Sequence, residues 1–498
     1  ANGDDDAFVA RLSAISGIDA GMVSILTPTV PFAQGGQQVS VVVKNYGTTR
    51  LDSVRISWTF NGTPQTTVRH TTAILPGQTA TVVLGTPAFP AKTLSTITAT
   101  TLFPNGLTDN NDANDARTIQ RGPGLSTGEY TVGGASPDFG SVQLANEYLH
   151  IAGVLGRVTM NIRSGNYEGP WEITTIPGLT GERRRIEFRR DDNQTTNPII
   201  SFNAIYPNNN YALTINGTDW ISFTNINFSS LGTSAFSRVA LLTNNTRAIR
   251  FNGCQFTVAA NTTSNDNNFV ITDNNIFDSL VVRNCTFTRG AVGLDLGESA
   301  VDRSHVIIES NSAQNFTVQG FSIADIVSPL ITKNTAITNT TSVIGLSVSN
   351  TSGSAVITQN NNSIPSGAGI VLSGVMSAVD APSLLANNMV KIGNATTQES
   401  YGIVVFNSQN CSLFHNTVNN SSTDRNQTSL FIENGGGIRL LNNMFYNSGG
   451  GRVLDVEFSM TNPLIASDFY TLSLHDALPL SYSTSSLSTE ERRVGKEC

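Results

Sequence analysis

The feature that most limits how this chain can fold is a column of asparagines recurring through residues 225–443. Asn225, Asn252, Asn284, Asn311, Asn334, Asn360, Asn388, Asn416 and Asn443 follow one another at steps of 27, 32, 27, 23, 26, 28, 28 and 27 residues. The residue three before is apolar in eight of the nine cases, at Ile249, Val281, Ile308, Ile331, Ile357, Leu385, Leu413 and Leu440, and only Ser222 fails. The residue two after is apolar or small in six, at Cys254, Ala313, Ala336, Val390, Val418 and Phe445. A second column, Gly followed by an apolar residue, runs through Gly293, Gly320, Gly345, Gly369 and Gly402, each 14–19 residues before its Asn. A repeat of 23–32 residues with short strands and no helical period is one turn of a parallel β-solenoid. Each strand then pairs with its equivalent one coil away at about 4.8 Å, so that like residues stack on like. The Asn column is expected to form a structural ladder, because an amide at a bend can bond the amides above and below it. Cys254 and Cys285, one coil apart beside this column, are expected to stack inward as free thiols or to form a disulfide.

Composition agrees with strands and turns. Of 498 residues only 13% are charged, 51 are Asn and 43 are Gly. That mixture disfavours helices and supplies turn residues. A formal charge of −8 without any Lys/Arg-rich run leaves no footprint for nucleic acid. No apolar stretch reaches the ~18 residues that span a bilayer, so membrane insertion is not expected. The chain starts at Ala1 and reads as cut from something longer, with residues 1–17 as the remnant of an upstream module. Four cysteines without metal-ligand spacing give neither a disulfide framework nor a zinc site. Asn stops after Asn462, and residues 468–498 resemble translated sequencing-adapter read-through. The segment 459–498 is expected to be an irregular tail, and its last part, with His475 and Cys498, is set aside.

Residues 18–118 alternate as half-buried strands do, with Val39, Val41 and Val43 on one face, then Val54, Ile56, Trp58 and Phe60, then Ala80, Val82 and Leu84, then Ile97 and Ala99. Asn61-Gly62 marks a hairpin, and Leu75-Pro76-Gly77-Gln78 a type II turn. A β-sandwich is expected. The phrases DAGMVSILTP, VKNYGT, ISWTFNG, LPGQTATVVLG and PNGLTDNNDANDART resemble the CARDB-type Ig-like modules of bacterial surface proteins, which implies a spacer or a carbohydrate- or surface-binding unit. Asp109, Asp112 and Asp115 offer oxygen ligands to calcium, but without the EF-hand pattern they also fit an Asp/Asn-rich turn.

After a linker at 119–135, the solenoid is expected over 136–458. PDFGSVQLANEYLHIAG places Phe139, Val142, Ala145, Leu149 and Ala152 at helical spacing behind Asp138, the signature of an N-terminal capping helix. With GRVTMNIRSGNYEGPWEI and NYALTINGTDWISFTNINF, the passage resembles the capped right-handed parallel β-helix of the pectate-lyase-like superfamily, in the version carried by large surface proteins of gliding bacteria with type IX secretion. The resemblance implies an extracellular or cell-surface protein. The expected fold class is all-β, an Ig-like β-sandwich followed by that β-helix.

Enzymes of this superfamily need carboxylates on neighbouring coils for calcium with an Arg or Lys base, or an Asp trio with His and Arg-x-Lys. Here the acids do not line up: Asp295 lies two residues after its column Gly and Asp325 five after the next, while Asp273 and Asp302 precede their Asn by eleven and nine. Asp295, Asp302 and Asp325 remain the catalytic candidates. The Arg183–Arg185 run with Arg189, Arg190, Asp191 and Asp192 is the densest charge and either grips an acidic sugar or is a solvated face. His305 and His415 are isolated and read as surface or ladder residues. The expectation is a monomeric, non-catalytic adhesion or glycan-contacting protein with a polysaccharide or cell-surface glycan as partner and no cofactor unless calcium. The alternative is a polysaccharide lyase or glycoside hydrolase working in the β-helix groove.

Overall fold

The computed structural model describes residues 17–206, 210–232, 238–259, 270–272, 279–297, 303–393, 399–422, 426–448, 450–457, 465–467 and 470–473, with only the backbone in the strands at 270–272, 465–467 and 470–473. It divides into two compact units, one of residues 1–128 with 144–158 and 176–179, the other of 129–143 with 159–175 and 180–498.

The first unit contains two larger antiparallel sheets and a two-stranded pair, Gly35–Gly36 with Ala88–Phe89. One joins Ala20–Thr27, Val39–Asn45 and Thr79–Gly85; the other orders Ala116–Arg121, Ser95–Leu102, Val54–Phe60 and Thr63–Pro64, with Val68–His70 also on Val54–Phe60. Alternation drives this arrangement, since Val39, Val41, Val43, Val54, Ile56, Trp58, Val82, Leu84, Ile97 and Ala99 all enter one apolar core. Both turns have the expected chemistry. Asn61 and Gly62 take positive φ, and at the second turn Gln78 N–H donates to the Leu75 carbonyl across Gly77, whose φ is +78°.

Helix α1 (Val142–Ala152) buries Ala145, Tyr148, Leu149 and Ala152, and the Tyr148 hydroxyl donates to the Pro123 carbonyl at 2.6 Å. Two expectations about its start are corrected. Phe139 lies outside it, bridged to Val132, and the Asp138 carboxylate accepts from Thr131 N–H and Oγ1, serving the preceding strand instead of the helix N-terminus.

The second unit is a parallel solenoid of three sheets. The first, of 13 strands, runs from Gly128–Val132 to Ile465–Ser467; the second, of 12, from Asn166–Glu168 to Tyr470–Ser473; the third, of 11, from Trp171–Ile173 to Arg452–Glu457. Pairing in the first two sheets runs past the expected limit of 458, with Ile465–Ser467 on Arg439–Leu441 and Tyr470–Ser473 on Met444–Asn447. Unpaired N–H and C=O groups at the last coil offer a template to the chain that follows, whatever its composition.

Inside, like stacks on like. On the first sheet Ile308, Ile331, Ile357, Leu385, Leu413 and Leu440 are consecutive partners, all buried. In the earlier coils rings take over. Phe188, Phe223 and Phe251 stack at 5.6 and 5.1 Å, and Phe228, Phe256 and Phe287 on the second sheet at 5.5 and 5.1 Å.

Cys254, Cys285 and Cys411 are free and buried. Burial pushes the Cys285 thiol well up and that of Cys411 to about 12, so neither carries reactive thiolate at neutral pH. Iodoacetamide should therefore leave all three unmodified in native buffer and alkylate them in denaturant, as site-resolved mass spectrometry reads directly.

Candidate functional site

The asparagine column separates into two structural positions. Asn311, Asn334, Asn360, Asn388, Asn416 and Asn443 sit at the bend between first-sheet and second-sheet strands and are buried. From Asn311 to Asn416, each Nδ2 donates to the Oδ1 of the next, at 3.0, 3.0, 3.0, 2.9 and 2.9 Å, and each backbone N–H donates to that same oxygen. Each Nδ2 in the row also reaches a carbonyl one coil back, as Asn360 does to Ile331 at 3.1 Å.

Asn225, Asn252 and Asn284 do not belong to this row. Strand register puts Ile226, Cys254 and Cys285 at the bend in their coils, and the Cys285 N–H donates to Asn311 Oδ1 at 2.9 Å where the row begins. Asn225 and Asn284 lie one residue earlier, at φ of 56° and 51°, where other coils have Gly253, Ser310, Lys333, Gln359, Asn387, His415 and Asn442, also at positive φ. Asn252 is a strand residue one further back. Asn suits both the left-handed position and the bend, which is why a column drawn by residue type slips between them. His415 accordingly stands in the left-handed turn before Asn416.

In the Arg-rich early coil Arg189 and Arg190 are internally paired. Arg189 donates to Asn161 Oδ1 at 2.7 Å and meets Glu129 and Asp192, both at 3.2 Å, and Arg190 donates to Asn197 Oδ1 at 3.0 Å. Asp191 accepts from Asn193 N–H at 2.9 Å and faces Arg163 at 3.6 Å. Arg183 and Arg184, at the start of the same run, are exposed.

Asp302 and Asp273 lie outside the described residues, as do His475 and Cys498. Asp295 and Asp325 are not register partners, for Asp295 pairs with Ser322, but both face the buried Arg303. The Arg303 Nη1 donates to the Leu296 carbonyl at 2.5 Å and the Gly297 carbonyl at 2.9 Å. Burial raises the Asp295 carboxyl above its usual range, against Ser322, the Gly297 N–H and the charges of Arg238 and Arg303. Arg238 in turn donates to the Tyr211 hydroxyl at 2.5 Å. His305 is exposed beside the Ser304 hydroxyl, 3.0 Å from its Nδ1.

Further along the third sheet, inward columns such as Leu294, Phe321, Leu346, Ile370, Ile403 and Leu430 alternate with an outward column of Asp295, Ser322, Ser347, Val371, Val404, Phe431 and Asp455. Beside it run Ile344, Ala368, Tyr401, Thr428 and Arg452. Tyr401 and Phe431 are half-buried with ring centroids 5.5 Å apart at 50°. The Tyr401 hydroxyl donates to Glu399 at 3.2 Å, and Arg452 is paired with Asp455. Burial first, then the Glu399 charge, pushes the Tyr401 hydroxyl upward, so it stays protonated. The signal for this pair was in the sequence, two aromatics 30 residues apart, but it lies on the outward phase that a search for core columns passes over.

In the first unit Asp109 and Asp115 come together with Asp19, which no sequence pattern marked, while Asp112 is exposed in the short turn Asp112–Asn114. Among the described residues no three His, Cys, Asp or Glu side chains close on one point as metal ligands.

No protein-family model matches the chain, and no curated protein matches it. Solved structures resemble each unit. A CARDB domain from Pyrococcus furiosus, determined in complex with di-metal ions, is 20% identical over 22% of this chain and 94% of its own, at a TM-score of 0.19. PfbA, a surface adhesin of Streptococcus pneumoniae, is 12% identical over 66% of this chain and 93% of its own, at 0.40. The periplasmic alginate epimerase AlgG is 11% identical over 72% of this chain and 86% of its own, at 0.32.

Proposed function

We propose that this is a secreted or cell-surface protein whose solenoid holds a polysaccharide along the outer face of the third sheet without cleaving it, the Ig-like unit serving as a spacer. The observation that carries the reading is the Tyr401–Phe431 pair on an outward face whose preceding coils present Ser322, Ser347, Val371 and Val404. A sugar presents C–H groups on the faces of its ring and hydroxyls at its edge. Half-buried aromatic rings accept the first, and carboxylates such as Glu399 accept hydrogen bonds from the second. An adhesin and a polymer-modifying enzyme are both among the neighbours in fold, so a surface glycan role accommodates either outcome.

Asp295 favours a second reading, hydrolysis or elimination at the other end of the same face, because a carboxyl raised by burial beside two guanidinium groups is a common catalytic environment. One experiment separates the two. Binding of the full chain to a panel of neutral and acidic polysaccharides is measured by calorimetry, with and without calcium, while new chain ends are assayed. Binding without cleavage is expected, with Tyr401→Ala weakening it about tenfold, or about 1.4 kcal/mol. Turnover abolished by Asp295→Asn would establish the enzyme instead. Binding unaffected by Tyr401→Ala and Phe431→Ala, or no binding at all, would overturn the proposed face.

A further inference from the structure

The rings on the outward face of the third sheet stand among carboxylates. A further outward column runs through Ser349, Ser373, Phe406, Glu433 and Glu457, which are successive register partners. Phe406 ends the strand Ser400–Phe406 that carries Tyr401, and Glu433 ends the strand Thr428–Glu433 that carries Phe431. Alternation turns this column outward, since the preceding residues Val405, Ile432 and Val456 are buried. Phe406 and Glu433 are half-buried and Glu457 is exposed. On the other side of the rings the Tyr401 hydroxyl donates to Glu399 at 3.2 Å. Arg452 is the one cation in these two strands and the next, Arg452–Glu457, and it is paired with Asp455.

The fold does not call for charge in this column, because the earlier coils hold Ser349 and Ser373 there. Glu433 and Glu457 nevertheless stack directly on one another, and among the described residues neither is ion-paired with a cation. Like charges directly opposite on neighbouring strands destabilise a sheet. An ammonium group on a ligand answers both features of the face. Aromatic rings attract a cation within about 6 Å of their centroids, and an ammonium has three N–H donors for carboxylate oxygens. A neutral sugar leaves the stacked glutamates unanswered, and a polymer of uronic acids adds to their repulsion.

We propose that the polysaccharide held on this face carries free amino groups, as a glucosamine polymer does. The Tyr401, Phe406 and Phe431 rings lie beneath its sugars, and Glu433 and Glu457 take its ammonium groups. The inference rests on the glycan-contacting reading of the third sheet and names the class of polymer. Coils stand about 4.8 Å apart, comparable to one hexose in an extended chain, so a polymer running along the solenoid meets Glu433 and Glu457 in turn.

The test is calorimetry of the full chain with glucosamine oligomers and with N-acetylglucosamine oligomers of the same length, in mildly acidic buffer that keeps the amines protonated. Glucosamine oligomers should bind at least about tenfold more tightly, and added salt should erode that advantage. Glu433→Gln combined with Glu457→Gln should narrow the preference to within about twofold, and Glu433→Gln alone, which covers a failure of the double variant to fold, should reduce it about threefold. Equal affinity for the two oligomers, a preference for the acetylated one, or a preference that persists in the folded variants would overturn the amino-polymer assignment. If Tyr401→Ala still weakens an acetylated or neutral polymer in the same series, only that assignment falls and the face stands. If no polymer binds at all, the face falls with it.

Discussion

Asn388→Asp should destabilise the solenoid by about 3–5 kcal/mol at pH 7, while Asn387→Asp, one residue away, should cost less than about 0.5 kcal/mol. The difference lies in where the two amides sit. Asn388 is buried, its Nδ2 donates to the Ile357 carbonyl at 3.0 Å and Asn416 Oδ1 at 2.9 Å, and its Oδ1 accepts from the Asn360 backbone and side-chain amides. A carboxylate of the same shape keeps the acceptor role but turns both donations into contacts between acceptors, in a place water does not reach. Asn387 is exposed at φ 55°, a conformation that Asp tolerates nearly as well as Asn. The sign of the pH dependence follows. The introduced carboxyl has a folded pKa above its unfolded value of about 3.9, so the folded state binds the proton more tightly. The defect is therefore smallest near pH 4 and grows as pH rises through the folded pKa. Denaturant midpoints of both variants by circular dichroism at pH 4 and 7 check both size and direction, and equal midpoints for the two variants would remove the asparagine row from the account of stability.

Gly369→Ala should cost about 2–3 kcal/mol although it adds a single methyl group. That methyl would stand 2.2 Å from Val390 Cγ1 and 2.7 Å from the Gly402 carbonyl of the next coil. Valine is stiff about χ1 and the carbonyl belongs to a paired strand, so neither yields easily. The Gly369 carbonyl is meanwhile held by Asn362 Nδ2 at 2.9 Å, which opposes a backbone shift. Val390→Ala in the same chain should recover part of the loss, as a double-mutant cycle measures. Gly393→Ala, which meets nothing within 4 Å, should be silent and serves as the reference.

These two positions also show how far residue types alone carry a reading of this chain. The column Gly293, Gly320, Gly345, Gly369 and Gly402 was legible because at each of these positions a Cβ would meet the neighbouring coil's backbone below 3 Å, which favours glycine there. The apolar column from Ile308 onward was legible because burial permits only apolar side chains there. The first three coils misled because their bend holds Ile226, Cys254 and Cys285, while a nearby Asn answered the pattern. Asp19 was invisible for a different reason. Its hydrogen-bond partner Asn114 lies 95 residues away, a separation that local spacing does not encode. The Arg189 cluster was conspicuous as charge, but only coordinates reveal that its cations are answered by Glu129, Asp192 and Asn161.

The handover at Cys285 and Asn311 has a consequence for how such a rod can change over time. Before it, coils cohere through stacked phenylalanines; after it, through a relay of amides, and the strand register passes across without a break. Two unlike cements thus hold the same spacing. The interior can exchange one for the other coil by coil while the outward columns keep their places, so the surface that meets the outside world is free to diversify without renegotiating what lies beneath it.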